Sequence, residues 1–411
     1  MAFPHRPRGE QSEEDLSLND TTRQFIRENL NADVPTLALK KAPVGTDVSL
    51  ALRQIAARQL LQKKVPQWAE NEDLLFPVHL SIEQCSSEAA ARYKAGLLEG
   101  QTFADLTGGL GVDTYYISQQ FQQTDYVERQ AELCNLARHN FDVLKAEVTV
   151  WNETAEEYLQ DCEPKDCLFI DPARRDEHGR KTVSIADCTP DVSTLQDLLL
   201  QNAEKVMVKL SPMLDINKAL EELRHVKEVH VVAVANECKE LDFILERGFE
   251  GAPQFICVNL LTAQPELRFM QEEELRCLGR LADGVMKYLY ESNPAVMKAG
   301  CFKLLTERYG VHKLHKNSNL YTSEQLVPDF PGRIFEVDGW APYNKKVKQN
   351  LLHDVEKASI AVRNFPLSVA ELRKALKVND GDAIYLFATT LKGEQKVLIR
   401  TKKTASNEAV S

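Results

Sequence analysis

Apolar residues follow two different patterns along the chain. Before Gly100 they recur at helical spacing, in a run over residues 48–61 that stops at Pro66 and in a second predicted helix over 86–98. Beyond Gly100 the apolar runs are short and are separated by helical stretches, which is typical of strands that alternate with helices. The first hundred residues are therefore predicted to be mainly helical, and a sheet is predicted to follow them.

Seven strands are predicted in that sheet. They are residues 102–106, 125–128, 147–151, 167–170, 205–210, 229–235 and 255–261. The helices predicted between them are 113–121, 130–144, 155–161, 194–202, 215–223 and 237–247. The first five or six strands alternate with helices, as a parallel, doubly wound α/β sheet requires, whereas the last pair alternates less clearly.

The last third of the chain follows a different pattern. Residues 266–309 return to helical spacing, and residues 333–402 are mixed, with strand-like runs around a predicted helix over 368–376. We therefore predict an α/β chain with an N-terminal helical region and a smaller α+β domain at its C-terminus. The predicted boundaries are 1–80 for the helical region, 81–265 for the α/β domain, 266–325 for a connecting domain and 326–411 for the C-terminal domain.

Composition narrows the class of protein. The 411 residues are two to three times a typical domain, 43% are hydrophobic and 27% are charged, which excludes collagen-like and wholly disordered chains. No apolar run is long enough to span a membrane and the first residues lack a secretory signal, so a cytoplasmic protein is expected. The nine cysteines include no Cys-x-x-Cys pair, which favours reduced core thiols and no metal site.

Charge is distributed unevenly along the chain. The net charge is −11, yet residues 340–403 hold thirteen Lys or Arg against six Asp or Glu. A basic module on an acidic body can mark a nucleic-acid-binding domain, although a solvated basic face is the commoner explanation of the same count. Lysines and arginines that could contact phosphate are Lys345, Lys346, Lys348, Arg363, Arg373, Lys374 and Lys377.

A glycine-rich turn joins the first predicted strand to the next helix. Its sequence is Asp105-Leu106-Thr107-Gly108-Gly109-Leu110-Gly111-Val112-Asp113, where glycine lets a ligand approach bare backbone. The third glycine of the dinucleotide fingerprint is missing, and no Gly-Lys-Ser/Thr of a P-loop follows. The second strand ends at Glu128, where a carboxylate can accept hydrogen bonds from ribose hydroxyls. A tight structural turn is the alternative explanation for the glycines alone.

This turn together with Glu128 resembles the S-adenosylmethionine site of class I methyltransferases. The resemblance implies a seven-stranded Rossmann-like sheet, S-adenosylmethionine as cofactor, its methionine end over the glycine turn and its ribose on Glu128. It also implies an acidic residue near the adenine after the third strand. Thr154 aligns with that position and departs from the family pattern, so the role falls to either Glu153 or Thr154. The predicted cofactor-binding residues are Asp105, Thr107, Gly108, Gly109, Gly111, Asp113, Glu128, Glu153 and Thr154.

The fourth strand ends in a turn that presents a carboxylate, Asp171-Pro172-Ala173-Arg174-Arg175. Ligands of open parallel sheets bind beyond the carboxyl ends of the strands, so Asp171 is expected to face the same cleft as Asp105 and Glu128. An Asp that merely caps the next element is the alternative. The turn resembles the Asp/Asn-Pro-Pro-Tyr turn of amino methyltransferases and the Asp-Pro-Pro-Arg turn of uridine-C5 RNA methyltransferases. The predicted catalytic residues are Asp171, Pro172 and Arg174, with Arg174 stacking on the base or, together with Arg175, holding phosphate.

The two chemistries place different demands on the next strand. Methylation at uracil C5 needs a Cys nucleophile, and Ser211 stands where the C5 family has that Cys. Cys188 and Cys238 are more typical of core thiols, so N-methylation is favoured. Asn236 and the following residues are predicted to open a helix, whose acidic first turn could also contact substrate.

The C-terminal domain resembles the THUMP-like domain that ends some bacterial class I methyltransferases. The resemblance implies that this basic domain binds RNA, and the leading hypothesis is an enzyme that N-methylates a base in structured RNA. A small-molecule or protein methyltransferase is one alternative, and a non-catalytic RNA-binding protein with a relict methyltransferase fold is another. The intact Asp171-Pro172 pair argues against the second alternative, and neither a membrane nor a metal is expected as a partner.

Overall fold

The computed structural model describes residues 18–77, 79–174 and 184–404. Two compact units make up the chain. The first holds the residues up to Val226 together with Phe243–Glu250, and the second holds Lys227–Asp242 and the residues from Gly251 on. No helix in the described ranges is both long and apolar enough to cross a membrane.

Helices open the first unit, as the sequence predicts. They are α1 (Asp20–Glu28), α2 (Val34–Ala38), α3 (Val48–Lys64), α4 (Pro66–Glu70), α5 (His79–Gln84) and α6 (Glu88–Ala95). Several begin at a residue whose side chain accepts a first-turn N–H, such as Asp47 before α3 and Ser87 before α6. Leu61 and Trp68 from these helices pack in one core with Phe103 of the first strand. The helical region therefore supports the sheet directly.

Strands and helices then alternate. They are β1 (Thr102–Asp105), α7 (Val112–Ser118), β2 (Gln123–Val127), α8 (Ala131–Val143), β3 (Val148–Trp151), α9 (Ala155–Asp161), β4 (Lys165–Ile170), β5 (Ala173–Arg174), β6 (Cys188–Thr189), α10 (Val192–Asn202), β7 (Ala203–Leu210) and α11 (Ile216–Glu222). The sheet order here is β3-β2-β1-β4-β7, and each neighbouring pair is parallel. The carboxyl ends of these strands therefore meet at one edge.

One predicted helix is wrong. Residues 237–247 form a strand, β9 (Glu237–Glu246), which follows β8 (Val226–Val234) through a two-residue turn. Both turn residues, Ala235 and Asn236, have positive φ, at 48° and 67°, which is the geometry of a tight hairpin. The pattern misled because residues 240–245 are all buried, so that Leu241, Ile244 and Leu245 mimic helical spacing. The predicted helix at Asn236 is wrong for the same reason.

The end of β9 lies in the first unit. The N–H of Arg247, just beyond the strand, donates to the carbonyl oxygen of Glu204 at 2.9 Å. The end of β9 thus lies beside the start of β7, so the two strands are antiparallel. The predicted seventh strand is a real strand, β10 (Gln254–Leu260), which pairs parallel with β8 in the second unit. The count of seven therefore missed β9 and also β11 (Leu267–Met270).

The rest of the second unit is α+β. It contains α12 (Gln271–Arg276), β12 (Tyr288–Ser292), α13 (Pro294–Ala299), α14 (Phe302–Arg308), β13 (His312–His315), β14 (Ser318–Ser323), β15 (Gly332–Pro342), α15 (Val347–Leu351), β16 (Ser359–Val362), α16 (Val369–Leu376), β17 (Tyr385–Thr390) and β18 (Lys396–Lys403). The strands form one sheet in the order β13-β14-β12-β15-β18-β17-β16. The purely helical prediction for 266–309 is wrong, because β11 and β12 lie within it. The predicted fold class is confirmed.

Candidate active site

The glycine turn lies against the end of β2. The N–H of Gly108 donates to the Val127 carbonyl oxygen at 2.9 Å, and the Tyr126 hydroxyl donates to the Gly109 carbonyl oxygen at 2.7 Å. A Cβ added at Gly108 would stand 2.1 Å from a ring carbon of Tyr126. Only glycine fits there, because the aromatic ring occupies the space that a side chain would need.

Glu128 follows β2 and is held by the same turn. Its Oε2 accepts from the Gly109 N–H at 3.1 Å, and its Oε1 accepts from the Gln130 N–H at 2.8 Å. Each carboxylate oxygen can accept a further hydrogen bond, since it carries more than one lone pair. The backbone thus presents Glu128 as a pre-oriented acceptor.

Asp105 ends β1 and is buried under the turn. Its carboxylate accepts from the Thr114 hydroxyl at 2.6 Å and from the Thr107 N–H at 3.0 Å. Burial raises the pKa of Asp105 to about 7, and these hydrogen bonds only partly oppose that effect. Only 1% of Asp105 is exposed. Its two hydrogen bonds connect the glycine turn, through Thr107, to α7, through Thr114.

The turn after β4 is tied to the glycine turn. The Asp171 N–H donates to the Thr107 hydroxyl oxygen at 2.7 Å, while the Asp171 side chain stays 36% exposed and Pro172 is buried. The backbone of Arg174 lies in β5, opposite Cys188 of β6. The Arg174 side chain and the whole of Arg175 lie outside the described part of the structure, so their predicted roles stay predictions.

Sequence reasoning missed a set of buried charges beside Asp171. We call Lys94, Asp113, Lys209, Asp171 and Ser86 the buried charge network. Lys209 Nζ lies 2.5 Å from Asp171 Oδ2 and 3.4 Å from Asp113 Oδ2, and Lys94 Nζ lies 3.1 Å from Asp113 Oδ1. Ser86 Oγ donates to Asp113 at 2.7 Å and accepts from both lysines, at 2.9 Å from Lys94 and 3.2 Å from Lys209.

Asp113, one of the predicted cofactor residues, lies within this network, and its contact with the cofactor stays a prediction. Although burial opposes its ionisation, the ammonium groups of Lys94 and Lys209 hold the pKa of Asp113 below its usual value. The sequence signal for Lys209 was a lysine inside the apolar run of β7. Its partner Asp113 stands 96 residues earlier, so the pairing was not visible.

Thr154 and Glu153, the two residues predicted to lie near the adenine, have different surroundings in the structure. The Thr154 side chain caps α9 in a reciprocal arrangement with Glu157, whose N–H it accepts at 3.2 Å. Glu153 is half-buried and follows Asn152, which donates to the Glu128 carbonyl oxygen at 2.9 Å. Both stand at the carboxyl end of β3, and which of them contacts adenine stays a prediction.

The thiols do not resemble activated nucleophiles. Ser211 follows β7, Cys188 is buried, and burial raises the pKa of Cys238 to about 11. None of the nine cysteines, all in described ranges, forms a disulfide. The described ranges also hold no cluster of three or more His, Cys, Asp or Glu arranged for a metal ion.

The C-terminal cations fall into two groups. Arg363 forms an ion pair with Glu291 at 2.6 Å, and Arg373 forms one with Asp380 at 2.8 Å. Five lysines are exposed and form no ion pair with a described residue, namely Lys345, Lys346, Lys348, Lys374 and Lys377. Of the seven cations predicted to contact phosphate, these five lysines are the ones without an ion pair to a described residue.

Comparison with known proteins identifies the family. Residues 288–331 match a ferredoxin-like domain model, and residues 332–403 match a THUMP domain-like model. The chain is also similar to a protein of Porphyromonas gingivalis W83 described as a "putative methyltransferase". The two are 35% identical over 93% of this chain and 97% of that one, with a TM-score of 0.84. The chain belongs to this methyltransferase family.

Two further solved structures are less similar to this methyltransferase. One is described as a class I S-adenosylmethionine-dependent methyltransferase of Listeria monocytogenes, at 11% identity over 59% of this chain and 94% of that one, with a TM-score of 0.36. Another, of Streptococcus mutans, is described in complex with SAH, at 14% identity over 39% of this chain and 96% of that one, with a TM-score of 0.30. Similarity this low carries no argument about function. No curated protein matches the methyltransferase.

Proposed function

We propose that this methyltransferase transfers the methyl group of S-adenosylmethionine to an exocyclic nitrogen of a base in structured RNA. The observation that carries the proposal is the joining of three elements at one edge of the sheet. Gly109 donates to Glu128, and Asp171 donates to Thr107 of the same turn. An open glycine turn, an oriented acceptor and a half-exposed carboxylate therefore stand together.

The cofactor fits the residues at this edge. A Cβ added at Gly109 would meet nothing closer than 3.7 Å, so the outer side of the turn is open to a ligand. Glu128 would accept hydrogen bonds from the ribose hydroxyls, and Glu153 or Thr154 would lie on the adenine side. S-adenosylmethionine supplies an electrophilic methyl group on a sulfonium ion.

Asp171 is the group that would orient the target. An exocyclic amine donates two N–H groups, and two acceptors are needed to aim its lone pair at the methyl group. The Asp171 carboxylate provides one acceptor and a backbone carbonyl of the Asp171-Pro172 turn provides the other. The target nitrogen would gain the methyl group as the methyl–sulfur bond breaks and S-adenosylhomocysteine leaves, and its excess proton would pass to solvent. Pro172, which is buried, keeps the turn rigid.

Methylation at uracil C5 is the weaker candidate. It needs a thiolate beside the base, and Ser211 occupies the position after β7. A thiol with a pKa near 11, such as that of Cys238, is almost wholly protonated at neutral pH. RNA substituted with a 5-fluoropyrimidine is therefore expected to leave no covalent adduct, and an adduct at Cys188 or Cys238 would reverse this choice.

RNA as the substrate rests on the THUMP domain-like match and on the exposed lysines of that domain. A lysine that is not neutralised by a neighbouring carboxylate can displace counterions from phosphate. Lys345, Lys346 and Lys348 cluster within four residues, which favours a backbone contact.

The experiment compares modified nucleosides in RNA from cells with and without the gene. We expect one methylated nucleoside to disappear in the deletion strain and to return when purified protein and S-adenosylmethionine are added to the deficient RNA. Protein carrying Asp171→Ala is expected to bind the same RNA without restoring the nucleoside. Full restoration of the nucleoside by Asp171→Ala would overturn the proposal. It would also be overturned if both strains contained the same nucleosides and the protein methylated a protein or a small molecule instead.

A further inference from the structure

Lys209, near the end of β7, lies beside Asp171. Strands β4 and β7 are parallel neighbours with Ile170 opposite Val208. The next residues along the chain are Asp171, just beyond the end of β4, and Lys209, which is still in β7. The two side chains meet, with Lys209 Nζ 2.5 Å from Asp171 Oδ2. The pairing of strands therefore fixes which lysine faces the carboxylate.

The Lys209 ammonium group lies among polar side chains of the chain itself. An ammonium has three donors, and among the described residues Asp171 Oδ2, Asp113 Oδ2 and Ser86 Oγ lie within hydrogen-bond distance of this one. The Lys209 side chain is only 10% exposed. Lys209 is thus placed to orient Asp171 rather than to reach a ligand.

A second lysine fixes the far side of the network. Lys94 is fully buried on α6, and its Nζ contacts Asp113 Oδ1 and Ser86 Oγ. Two lysines balance two aspartates, which is the condition under which charges are retained inside a protein. Ser86 and Lys94 precede β1, so residues outside the sheet complete this side of the site.

We propose that Lys209 is a positioning residue for methyl transfer. It holds Oδ2 of Asp171 and thereby leaves Oδ1 as the acceptor for the target amine, while Asp113 and Ser86 hold Lys209 in place. This inference rests on the proposed function, in which Asp171 binds the amine. It assigns the orientation of Asp171 to a residue that never touches substrate.

The chain offers a matched control. Lys209→Met and Lys94→Met each remove one buried lysine from Asp113, but only Lys209 contacts Asp171. The assay uses radiolabelled S-adenosylmethionine and total RNA from the deletion strain. We expect Lys209→Met to lower kcat about 100-fold, the effect of a small displacement of a reacting group, with the RNA KM and the affinity for S-adenosylhomocysteine unchanged. Lys94→Met is expected to lower kcat much less.

Lys209→Arg keeps the charge and is expected to recover part of the lost kcat. It also serves as the test variant if Lys209→Met does not fold. An equal loss of kcat in Lys94→Met and Lys209→Met, at equal affinity for S-adenosylhomocysteine, would overturn the inference, because the network would then act on stability alone.

A measurement without substrate separates this inference from the proposed function. The loss of Tm caused by the Lys209 substitution is expected to be smaller in an Asp171→Asn background than in the wild-type protein, because the ion pair is already weakened there. Additive losses would show that Lys209 does not hold Asp171 and would overturn the inference. Failure of the wild-type protein to methylate any RNA would refute the proposed function. The Tm comparison would still show whether Lys209 holds Asp171.

Discussion

Lysine side chains lie in opposite environments in two parts of this methyltransferase. Beside the glycine turn, Lys94 and Lys209 are buried and paired with aspartates. In the THUMP-like segment, Lys345, Lys346 and Lys348 are exposed and form no ion pair with a described residue. A buried pair fixes geometry because breaking it leaves a charge without solvent, whereas an exposed lysine keeps its charge available to a partner. The same residue type is thus buried in ion pairs in one region and exposed to solvent in the other.

The largest expected effect tests the buried side of this comparison. Lys94→Met leaves Asp113 with fewer countercharges in a buried place, which is expected to lower the free energy of unfolding by about 3–5 kcal/mol. Lys374→Met, at an exposed position of the THUMP-like segment, is the control and is expected to change it by less than about 0.5 kcal/mol. Urea unfolding of both variants measures the difference, and similar stabilities would refute the contrast between the two regions.

A second test concerns the pH dependence of stability. Burial raises the pKa of Asp105 from its ordinary value of 3.8 to about 7, because burial disfavours the ionised form. A raised folded pKa favours folding below pH 4, and this contribution is lost as the pH rises through about 7. Because a pKa difference of one corresponds to about 1.4 kcal/mol, the stability that depends on this proton is on the order of 4 kcal/mol. Asp105→Asn is expected to flatten this part of the unfolding free energy against pH, and an unchanged profile would assign the dependence elsewhere.

The sequence predicts features of this region that depend on neighbouring residues, and it misses contacts between residues that are far apart along the chain. The positions of the glycine turn, Glu128 and Asp171 could be predicted because each directly follows an apolar run that predicts a strand. The buried charge network could not, because Lys209 and Asp113 are distant in sequence and meet only when β7 and α7 pack. Strand β9 was taken for a helix because the burial of residues 240–245 on both faces removed the alternation that marks a half-exposed strand. Thr154 was taken for a cofactor residue, and the structure adds a capping role that its spacing to Glu157 already encoded.

A third prediction concerns the cofactor. Removing the Glu128 carboxylate leaves ribose hydroxyls without an acceptor, so Glu128→Ala is expected to weaken S-adenosylhomocysteine binding by about 1–3 kcal/mol. Glu153→Ala and Thr154→Ala, titrated by the same calorimetry, show which of the two contributes on the adenine side. An unchanged affinity in Glu128→Ala would remove it from the cofactor site.

The smallest expected effect tests the exposed side. Reversal of Lys345, Lys346 and Lys348 to Glu is expected to weaken RNA binding and to make its dependence on salt less steep, by roughly 0.7–0.9 in slope for each phosphate that a lysine no longer neutralises. The matched control reverses Lys40, Lys41 and Lys63, which are exposed in the first unit and change the net charge equally. Filter binding over a range of salt concentrations measures both. Equal effects of the two triple variants would reduce the THUMP-like segment to a solvated basic face.

The close approach of Gly108 to the Tyr126 ring constrains how the family can diverge. A Cβ at 108 would stand 2.1 Å from the ring, so any substitution there requires a smaller residue at 126 first. The order of the two changes matters, since the alanine is disruptive alone and tolerated once the ring is gone. The two positions should therefore covary among homologues, and a library that randomises both should recover pairs that neither single-site library contains.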